Sequence, residues 1–114
     1  MTDLTEHVME KMVRVIVDTV NPEQIILFGS HAKGQARPHS DVDLLIVESD
    51  PFDAKRSRRK EMAKLWRVLA SFPFGKDILV YSRDEIEHWR HSLNNVIARA
   101  LREGRILYER PQSG

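Results

Sequence analysis

Two alternating patterns of apolar and polar residues divide the chain into predicted helices and strands. Apolar residues at helical spacing predict an amphipathic helix over about 3–19, and Asn21-Pro22 ends it because the residue before a proline disfavours helical geometry. Three shorter, β-prone runs predict strands at 24–28, 41–48 and 77–81. Gly29 ends the first of these strands, and one helical turn from Ser30 followed by a loop is expected before the second.

A second helix is predicted after the turn that follows residue 48. Asp53 can cap this helix, which continues to about Ala70. Its apolar stripe is formed by Met62, Leu65, Trp66 and Leu69. Trp66, and Trp89 on the next predicted helix, are therefore expected in the core.

The last third of the chain predicts a further helical region and a short strand. Ser82 followed by Glu85 is a capping box, so a helix is expected to begin there, with a break near 91–94. Gly104 is expected just after the last helical residue. Residues 105–108 are expected to add a short edge strand.

The order of these elements predicts a small mixed β-sheet with helices packed against it, an α/β (α+β) fold in one domain over 1–114. After its first three residues the second strand is apolar on both faces. This pattern suits a central strand that is covered on both sides, or one that is covered on one side and shielded on the other by a partner.

Composition narrows the possible functions without naming one. The chain has 114 residues, 41% of them apolar and 31% charged, with no apolar run near the roughly 20 residues that span a bilayer. No signal-peptide pattern stands at the N-terminus, and the lack of cysteine excludes disulfides and thiolate metal sites, so a cytoplasmic protein is expected. A net charge of +1 provides no general attraction to nucleic acid or membranes.

Three aspartates at strand starts are the strongest candidates for chemistry. Asp41 and Asp43 lie two apart on a strand, so their side chains point to the same face, and Asp77 begins the third strand. If the second and third strands are neighbours, the three carboxylates come level with one another. Carboxylate oxygens suit Mg²⁺ or Mn²⁺, and such a set is typical of two-metal phosphoryl transfer.

The segment between the first two strands supplies candidates for phosphate binding. Gly29 allows close approach of a ligand to the backbone, and Ser30 opens a helical turn whose free N–H groups favour anions. Lys33 and Arg37 are placed to neutralise phosphate charge. We therefore expect a phosphate-binding side and a metal-binding side in one site.

These residues resemble a known signature. Gly29-Ser30, ten further residues and then Asp41-Val42-Asp43 are similar to the motif of the DNA polymerase β-type nucleotidyltransferase superfamily. The segments GSHAKGQARPHSDVDLLIV, KDILVY and ALREGRILYE resemble its minimal, single-domain branch, the MNT or MntA-like proteins. The likeness extends over about 24–109.

The resemblance implies roles for the candidate residues. Asp41 and Asp43 would bind two Mg²⁺ ions, and Asp77 would bind one of them and help to deprotonate the attacking hydroxyl. Gly29 and Ser30 would hold the β- and γ-phosphates of ATP, from which AMP is transferred with release of pyrophosphate.

Members of this branch are commonly the antitoxins of HEPN/MNT pairs, in which AMP is transferred to a tyrosine of a HEPN-type ribonuclease toxin. A HEPN-type toxin is therefore the expected partner, with no membrane and no direct nucleic-acid contact. The position after the Gly-Ser pair is often arginine in this branch but is His31 here, so nucleotide choice or phosphate affinity could differ. Two alternatives stay open: neutralisation of a partner by binding alone, and nucleotidyl transfer to a small molecule or an RNA end.

Other polar features have simpler interpretations. The basic run Lys55–Lys60 is best explained as a solvated helix face, with contact to RNA or an acidic partner as the alternative. His88 and His91 have helical spacing but no evident third ligand, so they are expected on the surface. Tyr81 and Tyr108 could accept AMP in a self-modification, although strand-end and edge positions explain them adequately.

Overall fold

A computed structural model of the protein describes residues 5–34, 41–93 and 95–111. Within those residues the chain forms four helices and four strands in an order close to the predicted one. The helices are α1 (Glu6–Val20), α2 (Arg58–Leu69), α3 (Arg83–Trp89) and α4 (Val96–Glu103). The strands are β1 (Gln24–Phe28), β2 (Val42–Glu48), β3 (Lys76–Ser82) and β4 (Arg105–Glu109).

The four strands form one mixed sheet in the order β3-β2-β1-β4. β2 is antiparallel to β1 and parallel to β3, whereas β1 is antiparallel to β4. The α2 crossover allows β3 to return parallel to β2, as such a connection must. The predicted central position of β2 and the predicted strand after Gly104 are both confirmed.

Helices cover the two faces of the sheet, and this explains why β2 is apolar on both sides. On one face α1 and α2 pack over Ile25, Leu44 and Ile46. On the other face α3 and α4 pack over Ile26, Leu45 and other residues of β1 and β2. Alternate residues of one strand therefore enter two separate apolar cores. The predicted α+β fold class is confirmed.

The beginning of α2 differs from the prediction. Asp53 does not cap this helix; its carboxylate accepts hydrogen bonds from the backbone N–H groups of Lys55 (2.8 Å) and Arg56 (3.1 Å), closing a turn. The cap is Ser57, whose hydroxyl accepts a hydrogen bond from the Lys60 N–H at 3.2 Å. Both residue types cap helices well, and the helix begins at the later one because the earlier one is used in the turn.

The two tryptophans are also placed differently from the prediction. Trp66 and Trp89 are each 40% exposed, whereas Leu65 and Leu69 on α2 are fully buried. Helical spacing shows which residues lie near the apolar face of a helix but does not show where that face ends. Each tryptophan lies at the edge of such a face. None of the helices in the described ranges is long and apolar enough to cross a membrane.

Candidate active site

The parallel register of β2 and β3 aligns two of the candidate carboxylates. Asp43 and Asp77 are directly paired across the two strands, and Val42 is paired with Lys76. Since the strands are parallel, their first residues meet at the same end of the sheet. This end, with the Gly29–Gly34 turn that follows β1, is called the aspartate end below.

Asp43 lies against the glycine that ends β1. A Cβ atom on Gly29 would stand 2.2 Å from Oδ2 of Asp43, so any side chain at this position would collide with the carboxylate. Gly29 also has φ of +73°, in the left-handed region that favours glycine. The cross-strand pairing of Phe28 with Asp43 explains the proximity, because it brings the end of β1 beside the start of β2.

Asp41 lies against a second glycine, Gly75, which comes directly before β3. A Cβ atom on Gly75 would stand 2.0 Å from Oδ1 of Asp41 and 2.9 Å from its Cγ. The Gly75 carbonyl accepts a hydrogen bond of 2.9 Å from the Val42 N–H, which ties the start of β2 to the turn before β3. Each of the two aspartates is thus packed against the backbone of a glycine.

Asp77 and Asp41 are close enough to Asp43 to disfavour its ionisation. Burial raises the pKa of Asp43, and the charges of Asp77 and then Asp41 raise it further, while His31 acts in the opposite direction. Asp43 is half-buried, and Asp41 and Asp77 are exposed. Across the described part of the chain, no lysine or arginine forms an ion pair with any of the three.

The three carboxylates are ligands of the type that a divalent cation prefers, but in the described residues they are not arranged around one ion position. Three carboxylates that repel one another provide hard oxygen ligands for Mg²⁺ or Mn²⁺. In residues 5–34, 41–93 and 95–111, however, no three acidic or histidine side chains already converge on one ion position. The aspartate side chains would therefore have to reorient to bind a cation, which two rotatable bonds allow.

The residues after β1 form the helical turn that the sequence predicts. The Lys33 N–H donates a 3.2 Å hydrogen bond to the Gly29 carbonyl, closing one helical turn as predicted. Ser30 lies at the start of this turn and is half-buried. The Lys33 ammonium forms an ion pair of 3.1 Å with Glu103 of α4, so it lies toward α4 in this structure. The fourth predicted phosphate ligand, Arg37, lies outside the described residues.

The turn before β3 is held by an unpredicted interaction. The Lys76 ammonium donates hydrogen bonds to the carbonyls of Phe72 (2.8 Å) and Phe74 (3.0 Å) and lies 5.5 Å from the centre of the Phe74 ring. Burial lowers the pKa of Lys76. Lys76 is next to Asp77 in the sequence, and this position could have suggested that Lys76 lies near the site. No feature of the sequence around Gly75 indicates that it is a neighbour of Asp41.

Comparison with known proteins identifies the family of the chain. Residues 10–113 match the family described as polymerase beta, nucleotidyltransferase, and the chain belongs to that family. Comparison with curated proteins gives no significant match.

Solved structures with the same fold include proteins from toxin–antitoxin pairs. A Sulfolobus solfataricus protein, provisionally named a nucleotidyltransferase, is similar with a TM-score of 0.59 and 20% identity, over 90% of this chain and 81% of that one. A variant of the toxin–antitoxin MntA–HpeT with two aspartates changed to glutamate has a TM-score of 0.62 at 16% identity, over 90% and 73%. A toxin–antitoxin with AMP-PNP has a TM-score of 0.55 at 21% identity, over 90% and 73%.

Proposed function

We propose that this nucleotidyltransferase uses Mg²⁺ to transfer AMP from ATP to a hydroxyl, expected to be a tyrosine of a HEPN-type ribonuclease toxin, and so acts as an antitoxin. The observation that carries the proposal is the Asp43–Asp77 pairing across parallel strands. It joins the carboxylates of two strands at the end of the sheet where the Gly29 turn lies.

Each residue at the aspartate end has a proposed role that follows from its position. Gly29 and Ser30 would hold the terminal phosphates of ATP, because the turn presents backbone N–H groups and leaves room for a ligand. Asp41 and Asp43 would hold two Mg²⁺ ions and Asp77 one of them. When bound, the ions would neutralise phosphate charge and make the acceptor hydroxyl a better nucleophile.

The transfer balances as an in-line substitution at the α-phosphorus. The acceptor oxygen forms a bond to that phosphorus while the bond to the bridging oxygen of the β-phosphate breaks, and pyrophosphate leaves. The proton of the hydroxyl passes to Asp77, which is exposed and therefore accessible to an acceptor.

The structural neighbours support a protein partner. One is the MntA–HpeT toxin–antitoxin, in a variant with two aspartates two positions apart changed to glutamate. The spacing is that of Asp41 and Asp43 in this chain. Another is a toxin–antitoxin with the ATP analogue AMP-PNP. An aspartate pair with this spacing and the presence of an ATP analogue are both expected of an antitoxin that uses a nucleotide.

Neutralisation by binding alone is the main competing function. Against it stands the cost of three neighbouring carboxylates without a paired lysine or arginine in the described ranges, which a purely binding surface does not require. Transfer to a small molecule or to an RNA end uses the same residues and differs only in the acceptor.

Intact mass measurement distinguishes these functions. The protein is incubated with ATP, Mg²⁺ and the product of the neighbouring gene as the candidate toxin, and both chains are weighed. We expect a gain of one or more AMP units on the toxin, lost in the double variant Asp41→Asn/Asp43→Asn and kept in the matched exposed control Asp50→Asn. Full neutralisation by the double variant without a mass change would instead establish binding alone. AMP found on RNA or on a small molecule would identify the other acceptor class.

A further inference from the structure

We infer that Gly75, in a turn clamped by Lys76, is a positioning residue for the Asp41 carboxylate. The inference concerns how the aspartate end is built and rests on the proposed function only for its catalytic consequence. Asp43 is held within β2, but Asp41 precedes the strand and is exposed. Asp41 therefore depends on contacts from outside β2 to fix its direction.

The space beside the Asp41 carboxylate exists because residue 75 has no side chain. An added Cβ would stand 2.0 Å from Oδ1 and 2.9 Å from Cγ, both well inside van der Waals contact. Gly75 does not have a positive φ, unlike Gly29 and Gly34. The backbone at residue 75 would accept alanine, so the lack of a side chain matters here for space and not for conformation.

The turn is anchored on both sides, so it would not yield to an added side chain. The Gly75 carbonyl is bonded to the Val42 N–H at 2.9 Å. The Lys76 ammonium binds the carbonyls of Phe72 and Phe74, and both rings pack against the core under α1 and α2. These contacts fix the position of residue 75 relative to the start of β2.

If a side chain were added at residue 75, the group that moves would therefore be the Asp41 carboxylate. Asp41 is an exposed side chain with two rotatable bonds, whereas the turn is held by three hydrogen bonds. A methyl group at residue 75 would take the space beside the turn that the carboxylate now occupies, and so would restrict the orientations from which Asp41 can reach a cation shared with Asp43. Displacement of one ligand of a cation site by a neighbouring residue typically lowers metal affinity about 10- to 100-fold.

The test is direct Mn²⁺ binding to the full chain, measured by electron paramagnetic resonance or calorimetry, for wild type and Gly75→Ala. We expect an affinity at least about tenfold lower in Gly75→Ala, with Tm within about 1 °C of wild type. Ser71→Ala, in the same turn, is the matched control and should bind Mn²⁺ like wild type. In the Asp41→Asn background, Gly75→Ala should cause no further loss, because the displaced ligand is already absent.

A readout without metal separates this inference from the proposed function. The carboxyl-carbon NMR signal of Asp41 should shift in Gly75→Ala, while that of Asp50 should not. Lys76→Met should cause a smaller loss of Mn²⁺ affinity, and Lys76→Arg should restore part of it.

Several outcomes would overturn the inference. One is a Gly75→Ala variant with wild-type Mn²⁺ affinity and an unshifted Asp41 signal. Another is a further loss of Mn²⁺ affinity when Gly75→Ala is added to Asp41→Asn. The third is unfolding of Gly75→Ala, which would mean that the turn yields. A wild-type chain that binds no Mn²⁺ would instead contradict the proposed function, with the NMR shift still testing the position of Asp41.

Discussion

The two ends of the β2–β3 pair both carry acidic residues, but the acids are partnered in opposite ways. At the end where Glu48 pairs with Ser82, the buried Glu48 carboxylate binds the Arg56 guanidinium, and Glu85 binds Arg58. At the aspartate end, Asp43 and Asp41 each lie against the backbone of a glycine, and the charges of Asp77 and Asp41 raise the pKa of Asp43. The first end is referred to below as the paired end.

The difference separates acids that stabilise the fold from acids available for chemistry. At the paired end the acids belong to a connected network: Arg56 also contacts Glu61 at 3.4 Å, and Glu61 binds Lys64 at 3.2 Å. The basic run Lys55–Lys60 therefore supplies two structural cations in addition to a solvated face. At the aspartate end, no lysine or arginine of the described residues pairs with the acids, and a bound metal ion would supply positive charge there.

The largest effect should come from removing one charge at the aspartate end. Asp43→Asn or Asp77→Asn should lower the AMP-transfer rate by about 10²–10³-fold or more, because each removes a ligand for the ions that stabilise the transition state. Stability should be unchanged or slightly higher, since repulsion among the aspartates is relieved. Single-turnover rates and thermal melts measure the two effects.

The matched change at the paired end is Glu85→Gln. It should leave the transfer rate near that of wild type and lower stability instead. A Glu85→Gln chain with normal stability and lost activity would break the distinction between the two ends.

Gly29→Ala should affect both stability and activity. The substitution meets a left-handed φ of +73° and an atom of Asp43 at 2.2 Å. Strain of this kind costs about 1–3 kcal/mol, measurable by urea denaturation. Gly34→Ala is the control: it has φ of +69° but nothing within 4 Å, so it should lose stability alone. Equal losses of activity in both variants would contradict the steric role of Gly29.

The paired end should produce a pH-dependent stability. The pKa of Glu48 is raised from 4.5 to about 8, chiefly by burial and also by Glu61 beside it, while Arg56 acts in the opposite direction. Because the folded state holds this proton more tightly than the unfolded chain, its stabilising effect is complete below pH 4.5 and is lost as pH rises through about 8. Lys64 faces the same cluster through Glu61.

Denaturation between about pH 6 and 9 should therefore show the free energy of unfolding falling by about 1–3 kcal/mol. Glu48→Gln should remove most of this fall, whereas Asp50→Asn should not. A Glu48→Gln variant that keeps the full slope would assign the pH dependence to other groups.

The smallest effect is expected from the capping box of α3. The Ser82 hydroxyl accepts from the Glu85 N–H at 3.3 Å, and the Glu85 carboxylate accepts from the Ser82 N–H at 2.9 Å. Burial opposes ionisation, but the Ser82 N–H and Arg58 hold the pKa of Glu85 below its usual value. Ser82→Ala should cost about 1 kcal/mol in urea denaturation with AMP transfer unaffected. A Ser82→Ala variant that keeps wild-type stability but loses AMP transfer would instead show that this end of β3 affects the aspartate end.

Sequence patterns predicted what depends on local spacing. The strands, the Ser82–Glu85 capping box, the helix break near 91–94 and the last strand all follow from periodicity and caps. The alignment of Asp43 with Asp77 could be stated only as a condition, because strand neighbours are set by tertiary packing.

The remaining features depend on contacts between residues far apart in sequence. Gly75 has no local feature that distinguishes it from an ordinary turn glycine, and its importance appears only beside Asp41. Trp66 and Trp89 were misplaced because apolar spacing indicates the centre of a buried stripe more reliably than its margin. Asp53 was misassigned because a turn and a helix cap use the same side-chain chemistry.

The position of β4 at the sheet edge has a consequence for synthesis of the chain. The Gln24 amide and the Glu109 carboxylate meet at 3.3 Å across 85 residues of sequence, so one side of β1 stays uncovered until the last strand leaves the ribosome. All described residues of the aspartate end precede residue 78. A nascent chain can therefore assemble the aspartate end while an open strand edge still invites pairing with other chains. β4 carries none of the candidate site residues, and its pairing with β1 covers that edge.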